Sequence, residues 1–253
     1  MNRLSRMHLI VSLLAFLGVL QFVGAVVIAI HCYSGGYSVF DNFISDLGCF
    51  RTPMGGDNSI SAAVFNLSAI ILGASLIPFF WILPSTISKL QKTVWLSGTL
   101  SALGLIGIGL TPYDLFFAVH ILALGLWIVP MFVLLITHLL ATVEEGQSSR
   151  ARTAWTILLL VAILLYVSAG THSAYVVTQK LTAVVAIIWF SLIGTSIGTT
   201  VVQVVSPRRQ MIEQAAEKYT KVLQSGQCLK TGKSSDTNLN SPLPHNKNRS
   251  GRI

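Results

Sequence analysis

Charge is what this chain most conspicuously lacks. Only 10% of its 253 residues are Asp, Glu, Lys or Arg, against a usual share of about 25% in soluble domains. Apolar residues make up 53% and the mean hydropathy is +0.70. Six stretches carry no charged side chain at all: Leu9–Ile30, Ile60–Ser88, Val94–Thr111, Leu115–Val143, Thr153–Gln179 and Leu181–Pro207. Each approaches or exceeds the ~20 residues that cross a bilayer core at 1.5 Å per residue. A soluble globular class is therefore excluded. The expected fold is all-α: a polytopic transmembrane bundle of six helices over about 9–30, 60–83, 93–111, 115–141, 153–175 and 181–205.

Cysteine is scarce too. Three cysteines exclude a disulfide-stapled scaffold. Cys32 and Cys49 share the first loop and could form one bridge in an oxidising compartment, or remain two free thiols. The first apolar run follows Arg3 and Arg6 but is far longer than the ~7–15 residues of a signal-peptide core, so it reads as a retained helix.

The few charges are unevenly placed, and that sets an orientation. Arg3, Arg6, Lys89, Lys92, Arg150, Arg152 and the basic tail fall on one side of the expected helices. Arg51 and Lys180 fall on the other, among Asp41, Asp46, Asp57 and Asp114. Lys and Arg near helix ends stay inside, which places both termini in the cytoplasm and the chain, as a multi-pass protein, in the plasma membrane. The formal net charge of +8 comes mostly from the tail. Membrane lipids are the expected partners of such a charge distribution; nucleic acid is not.

Domain organisation follows. Residues 1–206 form the membrane domain. Over 207–224, Met211, Ile212, Ala215, Tyr219, Val222 and Leu223 recur at helical spacing beside Arg208, Arg209, Lys218 and Lys221. That pattern predicts an amphipathic interfacial helix attracted to anionic lipid. Residues 225–253 are rich in Ser, Asn, Gly, Pro and Lys and are expected to be disordered.

Polar residues cluster on the outer side. The loop from Ser34 to Ser59 carries Asp41-Asn42-Phe43-Ile44-Ser45-Asp46-Leu47-Gly48, too apolar to float free in water. Asp57-Asn58-Ser59 supply N-cap residues for the second helix, and Asn66 lies within it. Asp114 reads as the N-cap of the fourth helix, where its charge suits the helix dipole. His120 follows about 9 Å deeper, where an imidazole should face the bundle. In the fifth segment Ser168, Thr171, His172, Tyr175 and Gln179 fall on one face if the helix runs on past Gly170.

Asn42–Gly48, with Val64-Phe65-Asn66-Leu67-Ser68 after it, resembles the marker of a prokaryotic membrane family, domain of unknown function 998. The turn Gly109–Asp114 before the helix with His120 is similar to that family's third and fourth segments. The resemblance covers about the first two hundred residues. It implies a six-helix membrane domain and no particular chemistry.

Asp46, His120 and His172 are the candidate catalytic residues, with Ser45, Asp57, Asn66, Asp114 and Tyr175 the candidate ligand-binding residues around them. The function expected is a polar site on the extracytoplasmic face, of unassigned activity. One alternative is a hydrolase acting on a lipid or glycolipid headgroup; another is a small-solute transporter. No cofactor is expected, because no His-Glu-x-x-His or similar spacing is present; the alternative is a metal held by Asp46, His120 and His172. A structural role for Asp46 competes with all of these, since Ser-Asp before Leu-Gly is also ordinary turn chemistry.

The tail yields a first prediction. Each Lys or Arg near an anionic surface contributes about 1 kcal/mol. Reversing the charges of Arg208, Arg209, Lys218 and Lys221 should therefore remove most binding of a 207–224 peptide to anionic vesicles, measured by co-sedimentation at low salt. Unchanged binding would leave apolar insertion as the sole attraction.

Overall fold

The computed structural model describes residues 3–87, 89–144, 146 and 149–194. They fall within one compact unit, Met1–Val205. The end expected for the sixth helix, the interfacial helix over 207–224 and the tail 225–253 lie outside the described residues.

Six helices carry the fold: α1 Arg3–Cys32, α2 Ser59–Ile82, α3 Gln91–Leu110, α4 Phe117–Glu144, α5 Arg150–Val167 and α6 His172–Gly194. All six are long and apolar enough to cross a membrane. Cys32 and Cys49 are free thiols. Along the chain from α1 to α5, each helix packs on the next. The α5–α6 pair is joined by Thr182 Oγ1 donating to the Ala162 carbonyl (3.0 Å) and Trp189 Nε1 donating to Thr156 Oγ1 (2.9 Å). At the far end of α6, Gly194 approaches the backbone of Ser12, which closes the bundle onto α1.

The outward faces are as apolar as the core. Leu13, Leu20, Leu122, Val129 and Leu164 are all exposed, the arrangement that hydrocarbon tolerates and water does not. Burial in lipid therefore does not sort large side chains inward; close backbone approach does. On α3, a Cβ at Gly104 would sit 2.3 Å from the Trp127 backbone nitrogen of α4, and one at Gly109 would sit 2.5 Å from the Asn66 carbonyl oxygen of α2. Ser101 adds a hydrogen bond to the Trp127 carbonyl at 3.0 Å. The small residues expected to pack α3 thus face neighbours on both sides.

Helix boundaries depart most from those expected around the fifth and sixth helices, and α1 begins at Arg3 rather than near 9. The fifth segment does not continue past Gly170: α5 stops at Val167, and α6 starts at His172 rather than near 181. Thr171 is the reason. Its Oγ1 accepts the Ala174 N–H (3.3 Å) and its carbonyl accepts the Tyr175 N–H (3.0 Å), so it caps a new helix directly after the flexible Gly170. Ser168 and Thr171 therefore drop out of the proposed stripe. His172, Tyr175 and Gln179 remain, on the first turns of α6.

The fourth helix begins later than expected. The Leu115 and Phe116 N–H groups both bond the Pro112 carbonyl, at 3.1 and 2.8 Å, which adds a separate turn before Phe117. Asp114 sits in that turn and does not cap α4.

These boundaries gather three connections at one end of the bundle: the long loop between α1 and α2, the turn Thr111–Phe116, and the short link before α6. At the opposite end Lys89, ahead of α3, pairs with Glu144 at the end of α4.

Candidate functional site

The long loop folds inward, and its docking is built from backbone carbonyls. Ile44–Gly48 form a turn of 3₁₀ helix. Four consecutive carbonyls leaving it are received by side chains of α2 and its leading residue. Asn58 Nδ2 donates to Asp46 O (3.5 Å) and Cys49 O (2.8 Å), Ser61 Oγ to Leu47 O (2.9 Å) and Asn66 Nδ2 to Gly48 O (2.9 Å). Asn58 Oδ1 also accepts the Ser34 N–H at 3.3 Å. Asn58 was expected to cap α2; its side chain instead makes no capping bond and holds the loop.

Every residue of the Ile-Ser-Asp-Leu-Gly motif has a task in this arrangement. Leu47 is wholly buried in the core between the helices. A Cβ on Gly48 would lie 2.4 Å from Asn66 Oδ1 and 2.9 Å from the Phe65 ring, so only glycine fits. Asp46 Oδ2 accepts the Phe43 N–H at 2.8 Å and Asn42 Nδ2 at 3.4 Å, closing the turn from within. Ile44 donates its N–H to Gln179 Oε1 on α6 at 2.8 Å. Ser45 lines the cavity described below.

Two further bonds tie the loop to α6. Lys180 Nζ donates to the Asn42 carbonyl, and its ammonium lies 5.5 Å from the Tyr37 ring centre. His172 Nε2 donates to the Asp41 carbonyl (3.1 Å), with its ring edge-on to Phe43 at 5.1 Å. A third support comes from the α3–α4 turn, where Asp114 Oδ2 accepts the Arg51 N–H at 3.0 Å.

The predicted site residues are thus only partly brought together. Asp46 is half-buried and feels the charges of Lys180 and His172, yet its hydrogen bonds go to Phe43 and Asn42. His172 bonds Asp41. His120 is buried and donates from Nδ1 to the Thr111 carbonyl at 2.7 Å, with Tyr113 edge-on at 5.7 Å. No two of these three share a hydrogen bond. Asp57 is exposed and accepts from the Ser59 N–H (3.1 Å) and hydroxyl (2.5 Å), which hold its carboxyl below the usual range. Tyr175 packs edge-on to Tyr166 at 6.0 Å. Asn66 and Asp114 are loop anchors. Among the described residues, no group of three or more His, Cys, Asp or Glu side chains is placed to hold a metal ion.

Beneath the loop lies a cavity of about 80 Å³ enclosed by α1, α2, α3, α4 and α6. Its wall is apolar, including Val19, Phe65, Leu72, Leu105, Ala183 and Phe190. Ser45, His120 and Gln179 line it towards the loop, and Trp127 lines it deeper along α4. The Trp127 indole N–H is buried without an acceptor among the described residues. Sequence reasoning found Ser45 and His120 and missed Trp127, because an indole in a membrane helix carries no signal of what its N–H meets.

Electrostatics at the loop follow from burial. Burial pushes the Asp46 carboxyl above the usual range, outweighing the Phe43 and Asn42 hydrogen bonds and the charges of Lys180 and His172. The Cys49 thiol is pushed up to about 12, by burial first and then by the neighbouring Asp114 carboxylate, which leaves it unreactive.

No family model, curated protein or solved structure matches the chain.

The docking and the buried carboxyl each predict a measurable effect. Gly48→Ala must displace Asn66 or Phe65 and should cost about 1–3 kcal/mol in detergent melts. Asp46 has a folded pKa above its unfolded one, so the folded loop prefers the protonated form. Its contribution is fully present below the unfolded pKa and is lost as pH rises through the folded pKa. Asp46→Asn retains an acceptor for the Phe43 N–H without the charge. It should melt at or above wild type at neutral pH and lack that acid-side gain, whereas Asp46→Leu should lose about 1 kcal/mol. A destabilised Asp46→Asn would assign the carboxylate's charge a stabilising role.

Proposed function

We propose that this chain is a multi-pass integral membrane protein of the plasma membrane that binds a ligand at its extracytoplasmic face. The loop 33–58 is the cover of that site, and both termini are cytoplasmic. The observation that carries the reading is the docked loop, which sets Ile44 and Ser45 over an apolar cavity with His120 and Gln179 beside them. Concave, mostly apolar sites with a few convergent polar groups are where small molecules bind. A surface loop of this length, ordered by bonds to three separate elements, needs a reason to be there.

Orientation rests on the Lys and Arg distribution. The end with Lys89 and the Arg150–Arg152 pair is the cytoplasmic one; the loop end is outside. Kinship with the family called domain of unknown function 998 rests on the motif Asn42–Gly48, whose residues all serve the docking. Within the site, the geometry favours binding over catalysis. A general acid–base pair needs its members within hydrogen-bond reach, and Asp46, His120 and His172 each engage a different partner.

Met54 is 98% exposed at the tip of the loop. In intact cells, Met54→Cys in a Cys32→Ser, Cys228→Ser background should react with a membrane-impermeant maleimide, while buried Cys49 stays unlabelled. Labelling only after permeabilisation would invert the topology and move the site to the cytoplasmic face.

A further inference from the structure

The end of the bundle opposite the loop carries a site of a different kind, between α3 and α4. These helices approach most closely in their loop-bearing half. There a Cβ at Gly104 would meet the Trp127 backbone, and one at Gly107 would sit 2.9 Å from the Ala123 Cβ. Towards the other end the pairing passes to Leu96 and Leu100 on α3 and Val129 and Val133 on α4. Side chains of that size hold two backbones apart where glycine lets them touch. A groove of about 360 Å³ opens between the helices as a result.

Its walls face outward and are apolar. Leu96, Val129 and Val133 are all exposed, as side chains that meet hydrocarbon are. From Lys92 to Leu100 the α3 wall spans eight positions, about 12 Å along the axis. One water-sized atom needs roughly 10–15 Å³ of such space, so about 360 Å³ admits some two dozen or more. That is room for the upper stretch of one acyl chain, whose remainder lies in the bilayer.

Charge sits at one end only. Lys92 lines the outer end of the groove with Thr93 beside it, and among the described residues no Asp or Glu lines it. Glu144, at the end of α4, is taken by Lys89. Lys92 makes no ion pair among the described residues and is exposed. A free cation at the mouth of an apolar groove is complementary to an anion that carries hydrocarbon.

Depth agrees with charge. Trp81 near the end of α2 and Trp95 near the start of α3 are both exposed at this end of the bundle. Exposed tryptophans collect at the headgroup layer. Lys92 stands three residues outward of Trp95 on the same face of α3, about 4.5 Å along the axis. With its stem along apolar surface and its head towards water, a lysine there presents its ammonium to the phosphates.

We propose that the α3–α4 groove binds one anionic phospholipid, its phosphate on the Lys92 ammonium and one acyl chain along Leu96, Leu100, Val129 and Val133. Basic pockets between membrane helices hold anionic headgroups in this way. The site is separate from the loop-covered cavity. It stands whether or not that cavity takes a ligand, and whichever leaflet this end of the bundle faces.

Native mass spectrometry of the purified full-length protein in detergent tests it, using phosphatidylglycerol and phosphatidylcholine with identical chains. The tail is expected to attract anionic lipid as well. All measurements are therefore made in a background carrying Arg208→Gln, Arg209→Gln, Lys218→Gln and Lys221→Gln. The first phosphatidylglycerol should bind more tightly than the first phosphatidylcholine. Lys92→Gln removes one cation worth about 1 kcal/mol and should weaken phosphatidylglycerol about fivefold, leaving phosphatidylcholine unchanged. Lys92→Arg should restore the preference. Val133→Trp and Leu100→Trp fill the groove, and each should remove most of the first phosphatidylglycerol adduct.

The proposal is overturned if the two lipids bind equally. It is overturned too if Lys92→Gln keeps the preference of its parent, which would move the anion to another cation such as Arg150. Inorganic phosphate competing as strongly as phosphatidylglycerol would remove the acyl chain from the account, and the lipid with it. If Val133→Trp alters the oligomeric state and leaves lipid binding intact, the groove belongs to a second copy of the chain and the proposal falls. Lys92 is exposed, so Lys92→Gln carries the test even where a groove-filling variant misfolds.

Discussion

Four consecutive backbone carbonyls, from Asp46 to Cys49, meet side-chain donors from Asn58, Ser61 and Asn66, and much of the loop-bearing end of the bundle depends on that meeting. Backbone buried away from water must find its hydrogen-bond partners within the protein. Here α2 and the residue before it supply them. With its carbonyls answered, the loop can lie against the helices rather than in water, and Leu47 can fill the core between them. The remaining ties, from Gln179, Lys180, His172 and Asp114, then fix where Ile44 and Ser45 come to rest.

That dependence changes what the conspicuous motif means. A short Ser-Asp sequence among apolar residues invites a catalytic reading, and Asp46 is the natural residue to choose. Its carboxylate is turned back onto the Phe43 N–H, a task any turn-closing Asp performs. The side chains that line the cavity beneath are less conspicuous: Ser45 beside it, His120 on another helix, and Trp127. The motif residues hold the loop in place, and under the proposed reading the ligand-facing groups lie beneath it.

Much of the architecture was legible because the bilayer imposes a simple rule. Uncharged runs such as Leu9–Ile30 and Leu115–Val143 announce helices α1 and α4 without any tertiary information. The α5–α6 boundary was not legible in this way. Thr153–Gln179 lacks charge throughout, so hydropathy reads one helix where Thr171 starts another, and Lys180 reads as a loop residue where it lies inside α6. A Gly-Thr step outranks the hydropathy profile there, since glycine interrupts one helix and threonine caps the next. At the site, polarity and depth placed His120 correctly in the interior. Asp114 was misread because a capping Asp and a loop-anchoring Asp look the same until the partner N–H, here of Arg51, is known. The role of Asn58 was hidden for the same reason.

The loop is fastened unevenly, and this gives the loop-bearing end of the bundle a grain. On its α2 side it is held through carbonyls that are buried or nearly so, around a glycine with no room to shift. Towards α6 it is held by three bonds, from His172, Gln179 and Lys180, of which that of His172 is exposed. Parting the loop from α2 would strand four acceptors in a nearly dry environment. Parting it from α6 would release the Ile44 N–H and two carbonyls close to the aqueous boundary, where water can take over their bonds. The softer seam therefore runs between the loop and α6, directly above Ala183 and Ile187, and the loop and α2 behave mechanically as a single wall.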